Sequence, residues 1–179
     1  MTGEEIVRQV RNASEGFQAK CRKFSGAVTV EIMKRVLEKE GITTSARDVF
    51  IRGIPLEIDL LVPYRGEEPT LGLLYEPRQV AVALEIKKSG SFAAQGIRTI
   101  RKNFKLLRGL KVACAYVTLE ERESYRYKVT EKNIGGFRCF TLAWHKGTAM
   151  ILEDTHQWDR LLTFLSENRD RQSPNAASI

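Results

Sequence analysis

The stretch 56-LEIDLLVP-63 and its companion 79-QVAVALEIKKSG-90 decide how this chain is read. Both are runs of branched and long apolar residues, the composition of strands packed inside a sheet. Both also carry charge where a buried strand tolerates little of it: Glu57 and Asp59 in the first, Glu85 and Lys87 in the second. Alternation along a strand puts Glu57, Asp59 and Leu61 on one face, and Glu85 with Lys87 on one face. Ionised groups are rarely buried unless paired or bound to a metal. Two carboxylates and an ammonium on neighbouring strands therefore outline a metal site with a lysine beside it.

Working outward, Val80–Ile86 is almost continuously apolar, as a central strand covered on both faces should be. Arg52-Gly53-Ile54-Pro55 reads as a turn, so Asp48–Ile51 and Leu56–Val62 would form a hairpin. The interval 63–77 holds Gly66, Pro69, Gly72 and Pro77 and is loop-rich, with Leu71–Tyr75 as an extra short strand or a partner contact. Lys88-Ser89-Gly90-Ser91 turns into a helix over Phe92–Leu107. Its apolar stripe is Ile97, Ile100, Phe104 and Leu107; its basic stripe is Arg98, Arg101, Lys102, Lys105 and Arg108. Lys111–Thr118 is a second buried strand, completing a βαβ unit whose crossover should be right-handed.

Upstream, Ile6, Val10, Ala13 and Phe17 recur at helical spacing over Glu4–Lys23. Ser25-Gly26 is expected to break that helix before a second one, Val28–Glu40, stopped by Gly41. Downstream, Glu120–Tyr127 is highly charged and reads as a surface excursion. Phe137–Trp144 is a further strand and Thr148–Leu152 another. Gln157–Asn168 is a helix that buries Trp158, Leu161, Leu162 and Leu165. Residues 1–169 are read as one domain, and 170–179, polar and carrying Pro174, as a flexible tail.

The chain of 179 residues has net charge +7 and a pI near 9.5. Eight basic residues and no acidic one fall between Ile86 and Leu119. A solubilising face is the ordinary meaning of such a stripe. With no acid interleaved to pair with it, contact with the phosphates of a polyanion is favoured. No run approaches the ~18 apolar residues of a membrane span, and the polar start MTGEEIVRQV has no signal-peptide core. Cys21, Cys114 and Cys139 form no C-x-x-C pair, which argues against a zinc ribbon and for reduced thiols in a cytoplasm. There are only two histidines, His145 and His156, and neither lies in a nucleophile motif. No H-E-x-x-H and no phosphate-cradling G-x-x-x-x-G-K-[ST] occurs. Both histidines are read as structural or surface residues, which leaves chemistry by carboxylates, a lysine and a hard metal ion.

Asp59, a spacing of 26 residues, then Glu85-x-Lys87 with a basic helix following, resembles the PD-(D/E)XK nuclease superfamily over roughly Thr29–Val117. The motif's proline is displaced: Ile58 precedes Asp59, and Pro55 lies four residues back. The resemblance implies an α/β fold with a restriction-endonuclease-like three-layer core, a central mixed β-sheet flanked by helices. It implies a nuclease dependent on Mg²⁺ or Mn²⁺ that hydrolyses phosphodiester bonds, above all in DNA. Asp59 and Glu85 would hold the ion with the carbonyl of Ile86, and Lys87 would orient or help deprotonate the attacking water. Arg98, Arg101, Lys102, Lys105 and Arg108 would grip the nucleic acid.

Family members often place a helical glutamate near the metal, and Glu31 is the candidate; the competing reading pairs it with Lys34 or Arg35 on a solvated face. Resolvase-like members carry a glutamine on the helix after the motif, and Gln95 matches, against an ordinary exposed glutamine. Glu57 is open between an acid backing the site, a ligand of a second ion and a salt bridge to Arg52. The rival to an enzyme is a catalytically inactive relative that binds nucleic acid, or an accessory subunit of a larger DNA-processing complex. Tyr75, Phe137 and Trp144 are core in the first instance and interface in that rival. A standalone domain cutting both strands would act as a homodimer.

Overall fold

In the computed structural model, which describes residues 1–15, 22–90, 93–125, 128–146 and 151–171, the apolar run after Gln79 is the middle of the fold. It forms β5 (Val80–Ser89), flanked by β3 (Leu60–Pro63) and β6 (Ala113–Arg122), with β7 (Arg138–His145) and β8 (Leu152–Asp154) beyond. The order β3-β5-β6-β7-β8 is mixed. β5, β6 and β7 run parallel, and β3 and β8 are antiparallel edges. A second, three-stranded sheet joins β2 (Glu57–Ile58), β1 (Val49–Ile51) and β4 (Leu74–Tyr75).

Helices cover both faces. On one side α1 (Gly3–Glu15), α2 (Arg22–Lys39) and α4 (Gln157–Arg169) bring Ile6, Met33, Leu37, Trp158 and Leu161 against Leu84, Ile86, Val117 and Leu119. On the other, α3 (Ala94–Gly109) brings Ile100, Phe104 and Leu107 against Tyr116 and Cys114, joined by Val49, Ile51 and Ile58 of the small sheet. Alternate residues of β5 thus feed different cores: Val82, Leu84 and Ile86 face one, Ala83 the other. Among the described residues no helix is long and apolar enough to cross a membrane.

Four expectations change. Gly26 does not break the first helix, because Ser25 and Gly26 lie inside α2. A mid-helix glycine costs only about 1 kcal/mol, which the buried stripe Met33, Val36 and Leu37 outweighs. Leu56–Val62 is not one strand. It divides at Asp59 between two sheets, so Glu57 points outward from the small sheet while Leu60, Leu61 and Val62 are all buried. The charged segment after Leu119 is no surface excursion at its start: Glu120 and Glu121 continue β6 and are 5% and 4% exposed. β5 runs on through Lys88 and Ser89, residues read as a turn, because Lys87 and Ser89 keep register with Thr118 and Glu120. Cys21, Phe92, Arg126, Tyr127, residues 147–150 and the tail from 172 onward lie outside the described residues.

Candidate active site

Asp59 sits where the chain leaves the small sheet and enters the large one, between Ile58 and Leu60. That bend turns its carboxylate across β5. Asp59 Oδ2 accepts the backbone N–H of Ile86 at 2.7 Å and the Lys87 ammonium at 3.0 Å. Lys87 Nζ lies 2.7 Å from Glu85 Oε1. One ammonium therefore bridges two carboxylates from neighbouring strands. The three side chains are 23%, 26% and 33% exposed for Asp59, Glu85 and Lys87, half-withdrawn from solvent but reachable.

The electrostatics follow from that count. Burial pushes the Glu85 carboxyl above the usual glutamate range; Lys87 pulls it back down, and the Asp59 charge adds to the rise. Burial works against the Lys87 cation, yet the fields of Glu85 and Asp59 together with their hydrogen bonds raise its pKa. Two carboxylates against one ammonium leave an excess negative charge, and the pair favours a cation between them. Both donors are hard oxygens. Among the described residues no three His, Cys, Asp or Glu side chains converge, so a bound ion would take its other ligands from backbone carbonyls and water. This donor set fits Mg²⁺, which keeps several waters, and does not fit tetrahedral zinc.

Across β5 the register places Tyr116 opposite Glu85. Tyr116 is fully buried, and burial raises its phenol pKa, with Cys139, Glu85, Glu121 and Asp59 adding to the rise. It forms an uncharged floor beside the carboxylates. Sequence reasoning passed over it because a tyrosine in the run ACAYVT looks like any other core residue; only the strand register sets it beside Glu85. A narrow crevice of about 20 Å³, between β2 and α3, is lined by Glu57, Glu85, Asn103 and Phe104. Through it Glu57 adjoins the site from outside rather than by strand alternation, and Arg52 pairs with Glu76 at 2.6 Å instead of with Glu57.

Glu31 is held on α2 by Arg35 at 2.8 Å and by Arg47 at 3.4 Å. Gln95 is exposed in the first turn of α3. Arg98, Arg101, Lys102, Lys105 and Arg108 are all exposed, and none enters a salt bridge among the described residues. Two are steadied by packing on the loop before β7. The Arg108 guanidinium stacks 4.6 Å from the Phe137 ring centroid, and Arg101 lies against Gly135. Tyr75 and Phe137 are buried at 4% and 7% exposure, as core residues should be. Trp144 is partly covered by Lys128, 4.4 Å above its ring.

No protein-family model matches the chain, and no curated protein sequence matches it. Solved structures do. The cAAA-bound form of NucC from E. coli MS115-1 superposes with a TM-score of 0.62 at 11% identity, over 93% of this chain and 87% of that one. The cAAA-bound NucC of P. aeruginosa ATCC27853 gives 0.60 at 10% identity, over 93% and 85%. The apo form of the E. coli protein gives 0.51 at 13%, over 94% and 90%. At such identities the likeness speaks for the fold: this chain has the restriction-endonuclease-like α/β fold of NucC, with its mixed five-stranded sheet and covering helices.

Proposed function

We propose that this chain is a divalent-metal-dependent endonuclease that hydrolyses phosphodiester bonds in DNA. The observation that carries the reading is the convergence of Asp59 and Glu85 on Lys87 Nζ, at 3.0 and 2.7 Å, in a NucC-like fold. Asp59 and Glu85, with the carbonyl of Ile86, would hold Mg²⁺ or Mn²⁺. When bound, such an ion neutralises phosphate charge and acidifies water.

The remaining work falls to the chain itself. Asp59 is oriented by the Ile86 N–H, which leaves its other oxygen for a ligand. Lys87 offsets charge on the scissile phosphate and orients the attacking water. Arg98, Arg101, Lys102, Lys105 and Arg108 line one exposed face of α3 and bind the backbone on either side. Gln95, at the start of the same helix, contacts the phosphate next to the cut. Glu31 contributes from α2 after giving up one of its two arginine partners. The setting is the cytoplasm.

The test is cleavage of a panel of DNA and RNA substrates with Mg²⁺ or Mn²⁺, comparing the wild type with Asp59→Ala and Lys87→Ala. Metal-dependent cutting of DNA that disappears in both variants is expected. Cutting that survives both substitutions would place the chemistry elsewhere. No cutting, with salt-sensitive binding lost on neutralising Arg101 and Lys105, would instead identify an inactive nucleic-acid-binding module.

A further inference from the structure

The strand that carries Glu85 and Lys87 does not end with them. Ser89 follows Lys87 by two residues on β5, a step of about 6.6 Å along the strand, and it is half-buried. Its Oγ donates to the Tyr125 hydroxyl at 2.8 Å. The pairing of Ser89 with Glu120 lays the end of β6 beside the end of β5. After Arg122 the chain turns, with the Tyr125 N–H on the Arg122 carbonyl at 3.1 Å, and the tyrosine reaches back to β5. The serine proton is spent on the tyrosine oxygen, so the tyrosine's own proton is aimed elsewhere. Among the described residues no acceptor meets it.

Arg122 stands over the same ring, its guanidinium carbon 6.0 Å from the Tyr125 centroid. Its Nε is buried without a hydrogen-bond partner, and the side chain enters no salt bridge among the described residues. The neighbouring acids are held or turned aside. Glu120 is taken by Arg11 and His145, Glu121 lies against Gly90 and Thr141, and Glu123 is exposed in the turn. Folding has stripped water from part of this cation without supplying an anion, which is unfavourable unless a ligand brings the charge. A tie between loop and strand would need the Ser89–Tyr125 bond, but it would not need an unpaired arginine beside it.

We propose that Arg122, Tyr125 and Ser89 form a second phosphate-binding subsite, which takes a DNA backbone phosphate neighbouring the one at Lys87. For its substrate this rests on the nuclease reading. The Arg122 guanidinium supplies charge, the Tyr125 hydroxyl donates to a non-bridging oxygen, and Ser89 sets the direction of that hydroxyl. The step from Lys87 to Ser89 is of the same order as the separation of successive phosphates along one strand. A strand laid along the end of β5 therefore meets Lys87 and then this subsite. Its residues belong to β5 and to the end of β6, so it is separate from the cations of α3. Contacts from the sheet and from the helix together fix where along the backbone the scissile bond sits.

The experiment is affinity for a fluorescein-labelled DNA duplex, read by anisotropy in EDTA over a series of salt concentrations, so that no cleavage is needed. Arg122→Gln should weaken binding about tenfold and lower the slope of log affinity against log salt by about 1. Arg122→Lys should restore the slope. Tyr125→Phe keeps the ring and removes only the hydroxyl. It should weaken binding about threefold with the slope unchanged, because the lost group is uncharged, and Ser89→Ala should do the same. Arg122 and Tyr125 share one phosphate, so Arg122→Gln with Tyr125→Phe should lose less than the two single changes together, whereas Arg122→Gln with Lys105→Gln should be additive. Melting temperatures equal to the wild type's would show that the fold is kept. A salt slope unmoved by Arg122→Gln, or a Tyr125→Phe variant that binds like the wild type, in a protein that still cuts DNA overturns the subsite alone. The full set of binding effects in a protein that does not cut with Mg²⁺ or Mn²⁺ overturns the nuclease reading alone, and a wild type that does not bind the duplex overturns both.

Discussion

Two charged clusters lie on adjacent strands of this sheet, both toward the carboxyl ends of β5 and β6, and they are built to opposite ends. The first is Asp59, Glu85 and Lys87. The second is Glu120 on β6, Arg11 on α1 and His145 on β7. Glu120 Oε2 receives Arg11 Nε at 3.1 Å and is also bonded by its Nη2; His145 Nε2 lies 3.1 Å from the same oxygen and 3.0 Å from Arg11 Nη2. Glu120 and His145 are 5% and 3% exposed. Here one carboxylate oxygen is met by two nitrogens of a guanidinium and by an imidazole, inside the α1 side of the core. Its two cationic or polar partners both come from the protein and it is almost fully buried, so the cluster acts as a clamp. The strand cluster has one cation for two carboxylates and keeps about a quarter of each acid in solvent. What separates a clamp from a reactive site is thus the charge balance and the residual exposure, not the residue types.

The sharpest way to break the comparison is Asp59→Asn, which keeps the shape and removes the charge. Cleavage should fall by about 10²–10⁴-fold, measured as single-turnover rate on duplex DNA, while the melting temperature changes little. Retained activity would show that the half-exposed cluster is itself only a clamp.

The matching change in the buried cluster is Arg11→Met, which strands the Glu120 carboxylate. It should cost about 3–5 kcal/mol, and each kcal/mol lowers the melting temperature of a chain this size by roughly 2–4 °C. Calorimetry would record that loss, and Arg11→Met with Glu120→Leu should recover most of it. Activity of the folded fraction in the cold should persist, because Arg11 touches none of the proposed catalytic groups.

A smaller effect is expected on α3. Neutralising Arg98 or Lys105 should weaken DNA binding uniformly across sequences, and each should reduce the slope of log affinity against log salt by about 1.

The smallest effect concerns Glu121, the neighbour of Glu120 that turns to the opposite face, toward Gly90 and Thr141. Burial raises its pKa, only partly opposed by Lys128 and the Thr141 hydroxyl. Below the ordinary glutamate range both the folded and unfolded chains hold the proton, and nothing is lost. As pH rises, the unfolded chain ionises first, so stability falls until the folded group ionises too. Glu121→Gln should therefore melt higher than the wild type near neutral pH, and the gap should close in acid. A gap independent of pH would mean that its charge is already compensated.

Much of this is legible in the amino-acid sequence alone. Charge interrupting two apolar runs singled out Asp59, Glu85 and Lys87, because burial of an ion must be explained locally whatever the fold. The stripe Ile100, Phe104 and Leu107 announced α3, and its cations fell on the other side as a helical period requires. Other features were not legible for a common reason. The division of Leu56–Val62 at Asp59 depends on which sheet each half joins. The burial of Glu120 depends on Arg11, 109 residues away. The place of Tyr116 beside Glu85 depends on register between β5 and β6. Glu31 was readable as a helical ion pair with Arg35, but its second partner Arg47 comes from the loop before β1 and has no periodic signature.

The sequence by itself determined the periodicities, the location of unpaired charge in apolar strands and the one-signed helix that follows, since these are properties of neighbours along the chain. Only the tertiary structure decided which charges meet. A carboxylate in a strand is a clamp or a site according to whether a cation and a covering helix arrive from elsewhere, and a leucine in a turn is exposed or covered according to what packs above it. Those outcomes rest on contacts between distant segments, whose energies a local pattern does not contain.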